Sequence, residues 1–196
     1  MGRKTYFHSI WTLFLSALLF QGIVWGKTKP VGFAIPFPEL TFKLTLSRED
    51  QTYLGVQRKT GFSFREIRGN LILVELMSTY CVSCQRQTPI FNEVFSSIEK
   101  DPTLKGKVKM IGIAAGNTLQ EVEIFKKEYK ILYPLFSDSK FDVHTTVGSP
   151  RTPFMIWVRK EAQGKSVVVS THLGLIDSVK SILDETRAVL QYDLAL

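Results

Sequence analysis

The sequence of 196 residues predicts an α/β protein with a mixed central sheet and helices on both faces of that sheet. Strand-like and helix-like segments follow one another in the order β-α-β-α-β-α-β-β-α, which is typical of this fold class. Two apolar segments, 71–76 and 108–114, are nearly continuous, as in strands that are buried on both faces. The last two strands are close enough in sequence to pair antiparallel, which makes the sheet mixed.

The chain before the first buried strand is predicted to be mostly extended. Residues 27–40 are rich in proline and aromatic side chains and are expected to run along the surface. Residues 40–46 and 61–64 alternate polar and apolar side chains, so we expect a hairpin whose two strands are joined by a long loop. A turn at 65–70 then leads into the buried strand at 71–76.

Helices are expected after each of the two buried strands. Apolar residues recur at helical spacing between 85 and 100, which predicts an amphipathic helix there. The second buried strand leads to a helix that ends near Lys130, and Asn117 or Thr118, with Glu121, fits the cap at its N-terminus.

The last third of the chain completes the sheet. Its predicted elements are a strand at 135–137, a short helix at 141–147, antiparallel strands at 154–158 and 167–169 with a turn at 161–165, and a final helix that Asp177 caps and that ends near Gln191.

The N-terminus has the pattern of an export signal. Arg3 and Lys4 precede the apolar segment 10–20, which is the order found in signal peptides. A cut after Gly26 would remove residues 1–26; the alternative is an uncleaved anchor, although the apolar stretch is shorter than the ~20 residues that span a bilayer. In both cases we expect the folded part to lie in the periplasm or otherwise outside the cytoplasm.

The rest of the chain suits one compact unit, which we divide into an N-terminal extension at 27–60 and a domain at 61–196. The formal net charge of +7 falls to +5 when Arg3 and Lys4 leave with the leader. The remaining basic side chains are scattered among acidic ones. Because no basic stripe or recognition motif is present, a nucleic-acid partner is not expected.

The two cysteines of the chain, Cys81 and Cys84, form a CxxC motif between the strand at 71–76 and the helix that follows it. Free N–H groups and the positive end of the helix dipole at such a junction favour a thiolate over a thiol. The pKa of a cysteine in this position can fall from about 8.5 into the range of roughly 3.5 to 7.5. A second cysteine one turn away can then attack a mixed disulfide.

Three further features accompany the motif. Glu75 is the one charged residue of its strand and lies six residues before Cys81. Pro89 lies inside the helix, eight residues after Cys81, where a proline kinks the helix. Thr152 and Pro153 stand directly before the strand at 154–158, and Pro153 is a candidate for a cis peptide bond.

Together these residues resemble the thioredoxin fold, over roughly residues 38–192. The leader, the N-terminal extension and a strand–helix unit at about 108–130, which would be an insertion into that fold, resemble the TlpA/ResA-like thiol-disulfide oxidoreductases. The family implies that Cys81 is the exposed nucleophile, that Cys84 is the resolving thiol, and that the two form the redox-active disulfide. It also implies that Glu75 is a buried acid that exchanges a proton with Cys84.

The family further implies a docking surface for substrate. Thr152 and a cis Pro153 would form the wall opposite the disulfide, and Tyr80, which stands where the family usually has tryptophan, would border it. The substrates would be proteins with cysteines, and a membrane or periplasmic redox partner would reset the CxxC pair. No cofactor or metal is expected, and the protein would be a monomer.

Two other functions compatible with this fold remain open. A peroxiredoxin-like peroxidase would need proline seven residues before its cysteine, where this chain has Val74, although Ser78 fits the position three residues before. A copper-binding chaperone would usually separate its cysteines by three residues rather than two. A zinc site is disfavoured, because it needs about four ligands and only His144 and His172 are available after the leader.

Overall fold

The structure is a computed structural model that describes residues 1–2, 35–161 and 164–191. The cleavage site after Gly26, nearly all of the predicted leader, residues 27–34 of the extension and part of the turn at 161–165 lie outside the described residues. Among the helices of the described ranges, none combines the length and the apolar character needed to cross a membrane.

From the first buried strand onward, the elements occur in the predicted order. The strands are β1 (Thr41–Thr45), β2 (Thr60–Ser63), β3 (Leu71–Met77), β4 (Val108–Ala115), β5 (Leu135–Asp138), β6 (Phe154–Lys160) and β7 (Ser166–Leu173). The helices are α1 (Arg48–Leu54), α2 (Val82–Lys100), α3 (Leu119–Glu128), α4 (Asp142–Thr146) and α5 (Val179–Gln191), and one 3₁₀ turn spans Phe64–Glu66.

The main sheet has the strand order β5-β4-β3-β6-β7, with β3 at its centre. Strands β3, β4 and β5 are parallel, whereas β6 and β7 pair antiparallel, so the sheet is mixed as predicted. β1 and β2 form a separate antiparallel hairpin. The CxxC motif therefore follows the central strand, at its carboxyl end.

The two faces of β3 pack against different parts of the chain. Because side chains alternate along a strand, Ile72, Val74 and Leu76 lie on one face. They join a core made with the N-terminal segment, including Phe42, and with the hairpin. Leu71 and its alternate neighbours face the other way, toward the core formed by α2 and α5. Helices and the extension thus cover both faces of the sheet, in agreement with the predicted fold class.

The predicted long loop between 46 and 61 is wrong, because it contains α1. Ser47 caps this helix by accepting a hydrogen bond from the N–H of Asp50 at 2.9 Å, and Gly55 ends it in a left-handed conformation. Leu54 is its one fully buried residue. A helix with so little apolar surface shows no periodicity, although its capping residues are visible in the sequence.

The cap predicted for the final helix is also displaced by one residue. Ser178, rather than Asp177, accepts a hydrogen bond on its Oγ from the N–H of Ser181 at 3.2 Å. Serine at this position satisfies one of the free N–H groups of the first turn, as a capping aspartate would.

The described part of the N-terminal extension is bound to the rest of the chain. The N–H of Phe37 donates to the carbonyl of Ser166 at 2.8 Å, and Pro36 forms a bridge with Val167 at the outer edge of β7. This segment is extended, as predicted. The boundary that we predict between 60 and 61 falls at the start of β2, inside the β1–β2 hairpin.

Candidate functional site

Cys81 occupies the N-cap position of α2. Its Sγ accepts a hydrogen bond from the N–H of Cys84 at 3.2 Å, which is one of the free donors of the first helical turn. Cys81 is partly exposed, whereas Cys84 is fully buried, and both are free thiols. The first cysteine is therefore accessible to a substrate and the second is not.

Thr152, which precedes Pro153, lies directly against Cys81. The Sγ of Cys81 is 3.6 Å from the carbonyl oxygen of Thr152, and the Thr152–Pro153 peptide bond is cis, as predicted. The carbonyl of Pro153 accepts a hydrogen bond from the N–H of Gly174 at 2.9 Å, which ties this segment to the chain after β7. The site thus joins the start of α2 to the start of β6, which lie far apart in the sequence.

Burial and the hydrogen bond with Cys81 raise the pKa of the Cys84 thiol to about 12. Burial is the larger cause, because a thiolate loses most of its hydration in an apolar surrounding. Cys84 is therefore protonated near neutral pH. A group that removes its proton is needed before this thiol can attack a disulfide.

Glu75 is fully buried on the same face of β3 as Leu71, Leu73 and Met77, the face that packs on α2. Burial raises the pKa of its carboxyl to about 8, although a hydrogen bond from Tyr133 opposes the shift. The Oε2 atom accepts that bond at 2.7 Å. In the described part of the chain Oε1 has no hydrogen-bond partner. This carboxyl can take or release a proton near neutral pH.

Tyr133 has no role in the interpretation of the sequence given above, in which Glu75 has no hydrogen-bond partner assigned. β4 places Gly112 opposite Glu75. The tyrosine reaches the carboxylate from the segment before β5. A glycine inside an otherwise apolar strand indicates a close approach, and this was the signal available in the sequence.

Asn117 holds the loop that precedes Cys81. It is fully buried, and its Oδ1 accepts hydrogen bonds from the N–H of Thr79 at 2.9 Å and the hydroxyl of Ser78 at 3.1 Å. Its Nδ2 donates to the hydroxyl of Thr79 at 2.6 Å. The Nε2 of Gln85 donates to the carbonyl of Thr79 at 2.9 Å. These bonds fix the loop in one conformation.

The sequence indicated Asn117 only as a possible helix cap, as an alternative to Thr118. The structure gives the cap to Thr118, whose Oγ1 accepts from the N–H of Glu121 at 3.3 Å. The Oε2 of Glu121 accepts a hydrogen bond from the N–H of Thr118 at 2.7 Å, which completes the predicted capping box.

Tyr80 borders the site on the side of α3. Its ring is mostly exposed, and its hydroxyl donates to the Oε1 of Glu121. This bond, with those from Thr118, lowers the pKa of the Glu121 carboxyl to about 2. Beside Tyr80 lies an open groove of about 440 Å³. The residues that line it are Ser78, Tyr80, Ala115, Gly116, Phe141, His144, Pro150, Arg151 and Thr152.

Pro89, His144 and His172 are the other residues that were considered in the sequence. Pro89 lies inside α2, as predicted. The Nε2 atom of His144 is 2.9 Å from the carbonyl oxygen of Pro150. The Nε2 atom of His172 is 3.0 Å from that of Leu175. Both of these Nε2 atoms thus lie next to a backbone carbonyl.

Comparisons with known proteins agree with the fold. No protein-family model matches the chain. A thiol-disulfide oxidoreductase named ResA, from Geobacillus thermodenitrificans, is 22% identical over 106 residues, which are 54% of this chain and 58% of the relative. The match therefore spans a little over half the length of that relative.

Solved structures show the same architecture. A thiol:disulfide interchange protein of the thioredoxin family from Chlorobium tepidum is 18% identical, with a TM-score of 0.56 over 81% of this chain and 98% of that protein. A secreted disulfide oxidoreductase from Mycobacterium tuberculosis is 16% identical, with a TM-score of 0.52 over 66% and 90% of the two chains. The chain therefore has a thioredoxin-like fold, and part of its sequence is similar to that of a ResA thiol-disulfide oxidoreductase.

Proposed function

We propose that this protein exchanges the dithiol and disulfide forms of Cys81 and Cys84 with cysteines of protein substrates. The observation that carries the proposal is the arrangement of the two thiols. A partly exposed sulfur at the start of a helix accepts the N–H of a second, buried cysteine. The two differ in access, as a nucleophile and a resolving thiol must.

The proposed reaction has two steps. The thiolate of Cys81 attacks a substrate disulfide, forms a mixed disulfide and releases one substrate thiolate. Cys84 then loses its proton and attacks the Sγ of Cys81, which forms the Cys81–Cys84 disulfide and releases the second substrate thiolate. The two released thiolates take up protons, so the substrate gains two electrons and the protein loses two. The same steps in reverse oxidise a substrate dithiol.

Glu75 would supply the base in the second step. Its carboxyl lies on the face of β3 that packs on α2, and its pKa of about 8 allows it to exist in both protonation states near neutral pH. The Cys84 thiol, with its pKa of about 12, needs such a group. In the reverse reaction the protonated carboxyl would return the proton to Cys84.

The substrate would bind along Thr152, Pro153 and the adjoining groove. The contact between Cys81 and Thr152 places this segment next to the sulfur that a substrate must reach. Tyr80 forms part of the groove wall, and its ring is exposed for contact with a substrate side chain. Arg151, which is exposed in the same groove, would favour substrates with an acidic residue near the reactive cysteine.

The site would operate outside the cytoplasm, where disulfides persist. A membrane or periplasmic dithiol protein would return the CxxC pair to its starting state, and the protein would act as a monomer. N-terminal sequencing of protein expressed with its leader tests the export proposal. A first residue near Lys27 supports it, whereas an intact Met1 in the membrane fraction would indicate an anchor.

Trapping of mixed disulfides tests the proposed chemistry. Cys84→Ser leaves the nucleophile without its resolving partner, so this variant should accumulate a covalent adduct with a peptide disulfide. Cys81→Ser is the matched control and should form no adduct, because the remaining thiol is buried. Non-reducing mass spectrometry measures both. Equal adduct formation by the two variants, or none by Cys84→Ser, would reject the assignment.

A further inference from the structure

We propose that Tyr133 is a positioning residue for the resolving step. Its hydroxyl holds one oxygen of the Glu75 carboxylate in place, which leaves the other oxygen to take the proton of Cys84. The inference rests on the proposed function, because it assigns a role within that reaction. It adds a residue that lies 58 positions from Glu75 in the sequence and belongs to no motif.

The contact between the two side chains is short and completely enclosed. The hydroxyl of Tyr133 donates to the Oε2 of Glu75 at 2.7 Å, and the two residues are 3% and 0% exposed. A hydrogen bond to a charged acceptor in such an enclosed place is stronger than one in water. Oε1 has no partner among the described residues. Within the described part of the chain, one oxygen of the carboxylate thus has a hydrogen-bond donor and the other has none.

The neighbouring strand leaves room for this contact. Gly112 stands opposite Glu75 in β4, and a Cβ atom there would lie 3.2 Å from the ring of Tyr133 and 3.5 Å from the Oε2 of Glu75. The same Cβ would meet Leu135 at 2.6 Å. The N–H of Gly112 donates to the carbonyl of Pro134 at 2.8 Å, which fixes the chain next to Tyr133. The backbone of β4 and that of the segment before β5 therefore set the position of the Tyr133 ring.

Few titratable groups act on the pair. The residues that flank Glu75 on its two neighbouring strands are Gly112 and Met155, and neither titrates. The charges that act on Tyr133 are those of Glu75 and Cys84. Burial, followed by these two charges, raises the pKa of Tyr133 well above its ordinary value, so that its hydroxyl keeps its proton and remains a donor. The proposed proton exchange therefore involves Cys84 and Glu75, and Tyr133 remains a donor throughout.

The hydroxyl of Tyr133 also adjusts when Glu75 can act. A hydrogen bond to the ionised carboxylate favours the charged form and lowers the pKa of Glu75, against the larger effect of burial. Without this bond the carboxyl would be protonated over a wider pH range. It would then accept a proton from Cys84 only in more alkaline solution.

Tyr133→Phe tests the inference, because it removes the hydroxyl and keeps the ring. Infrared titration of the buried carboxyl of Glu75 in the reduced protein should show its midpoint about one pH unit or more higher than in the wild type, which is a tenfold change in its ionisation equilibrium. The control is Tyr129→Phe, which removes a hydroxyl from a tyrosine that stacks on Phe125 and makes no described contact with Glu75. This variant should leave the midpoint unchanged.

The rate of the resolving step provides a second readout. Release of substrate from a preformed mixed disulfide should rise with pH in the wild type, and this rise should move to higher pH in Tyr133→Phe. In a Glu75→Gln background, which has no buried charge to destabilise the fold, Tyr133→Phe should cause no further change. An unshifted carboxyl midpoint, or an equal loss of rate in both backgrounds at every pH, would overturn the role of Tyr133. The infrared titration needs no substrate, so absence of exchange in the wild type would count against the proposed function alone.

Discussion

The burial of Glu75 costs folding free energy, and the same carboxyl is the proposed base of the reaction. A carboxyl group in an apolar interior favours its neutral form, because the protein cannot replace the hydration of the charge. The hydrogen bond from Tyr133 offsets part of this cost, and the pKa remains raised at about 8. The ionised form thus has a higher free energy in the folded protein than in the unfolded chain.

We predict that Glu75→Gln reduces the dependence of folding stability on pH. A carboxyl whose pKa is raised by folding binds more protons in the folded state, so its contribution to stability is fully present below the unfolded pKa of about 4.5 and declines as the pH rises to about 8. The loss across this window should be on the order of a few kcal/mol in the wild type. Glu75→Gln has no group to ionise and should lack this decline.

Urea unfolding at several pH values between 4 and 9 measures the effect, with circular dichroism as the signal. Glu128→Gln is the control, because Glu128 is an exposed glutamate of α3. It should keep the decline of the wild type. If wild type and Glu75→Gln lose stability in parallel as the pH rises, the carboxyl of Glu75 is not the group that titrates.

At the scale of elements, two asparagines each hold a loop through side-chain hydrogen bonds. Asn117 connects the loop before α3 to the loop before α2. Asn92, within α2, binds the segment between α3 and β5: it donates to the carbonyls of Tyr129 and Lys130, each at 3.1 Å, and accepts from the N–H of Leu132 at 3.0 Å. The difference is that Asn117 holds the loop that carries Cys81.

We therefore predict that Asn117→Ala and Asn92→Ala have similar effects on stability and different effects on exchange. Each removes three side-chain hydrogen bonds that hold a loop, which should cost about 1–3 kcal/mol. Only Asn117→Ala frees the loop before Cys81, so thiol–disulfide exchange should slow by at least about tenfold in this variant. Denaturant unfolding and a peptide-disulfide assay measure the two effects. Equal exchange rates after correction for the folded fraction would show that the loop is held by other contacts.

Local sequence predicted most elements and only part of the site. β3, β4 and α2 were predicted because their apolar patterns extend over several residues. The redox role of Cys81 and Cys84 was inferred from the spacing of the two cysteines at the start of α2. α1 was missed because it buries too little apolar surface to produce a pattern. Tyr133 and Asn117 were missed as site residues because their roles depend on contacts across the fold. No local signal specifies such pairs, except the glycine at 112 that makes room for one of them.

At the scale of the whole molecule, the N-terminal extension and the sheet share one core. The rings of Phe42 and Phe62, from the two strands of the hairpin, stack with centroids 4.8 Å apart. Both contact the ring of Phe136 in β5, at 5.5 Å and 5.9 Å. Trp157 lies on the opposite face of the sheet, where its Nε1 donates to the hydroxyl of Thr186 in α5 at 3.0 Å. The central strands of the sheet contribute side chains to the cores on both faces.

We predict from this arrangement that the extension and the sheet unfold together. Phe62→Ala empties a fully buried position between the hairpin and the sheet, which should cost about 3–5 kcal/mol. Trp157 is the sole tryptophan after Gly26, so in the processed chain its fluorescence reports the face of α5 and not the face that carries the mutation.

If the chain is one cooperative unit, Phe62→Ala should lower the urea midpoint of the Trp157 signal by the same amount as that of the circular dichroism signal, because every probe of a two-state transition follows the same equilibrium. Phe62→Leu fills most of the same volume and should shift both midpoints less. A Trp157 midpoint that stays at the wild-type value while the circular dichroism signal gains an earlier transition would mean that the extension unfolds separately. Phe62→Ala would then destabilise only the β1–β2 hairpin and the segment packed with it. The stability of the cysteine site would not depend on that packing.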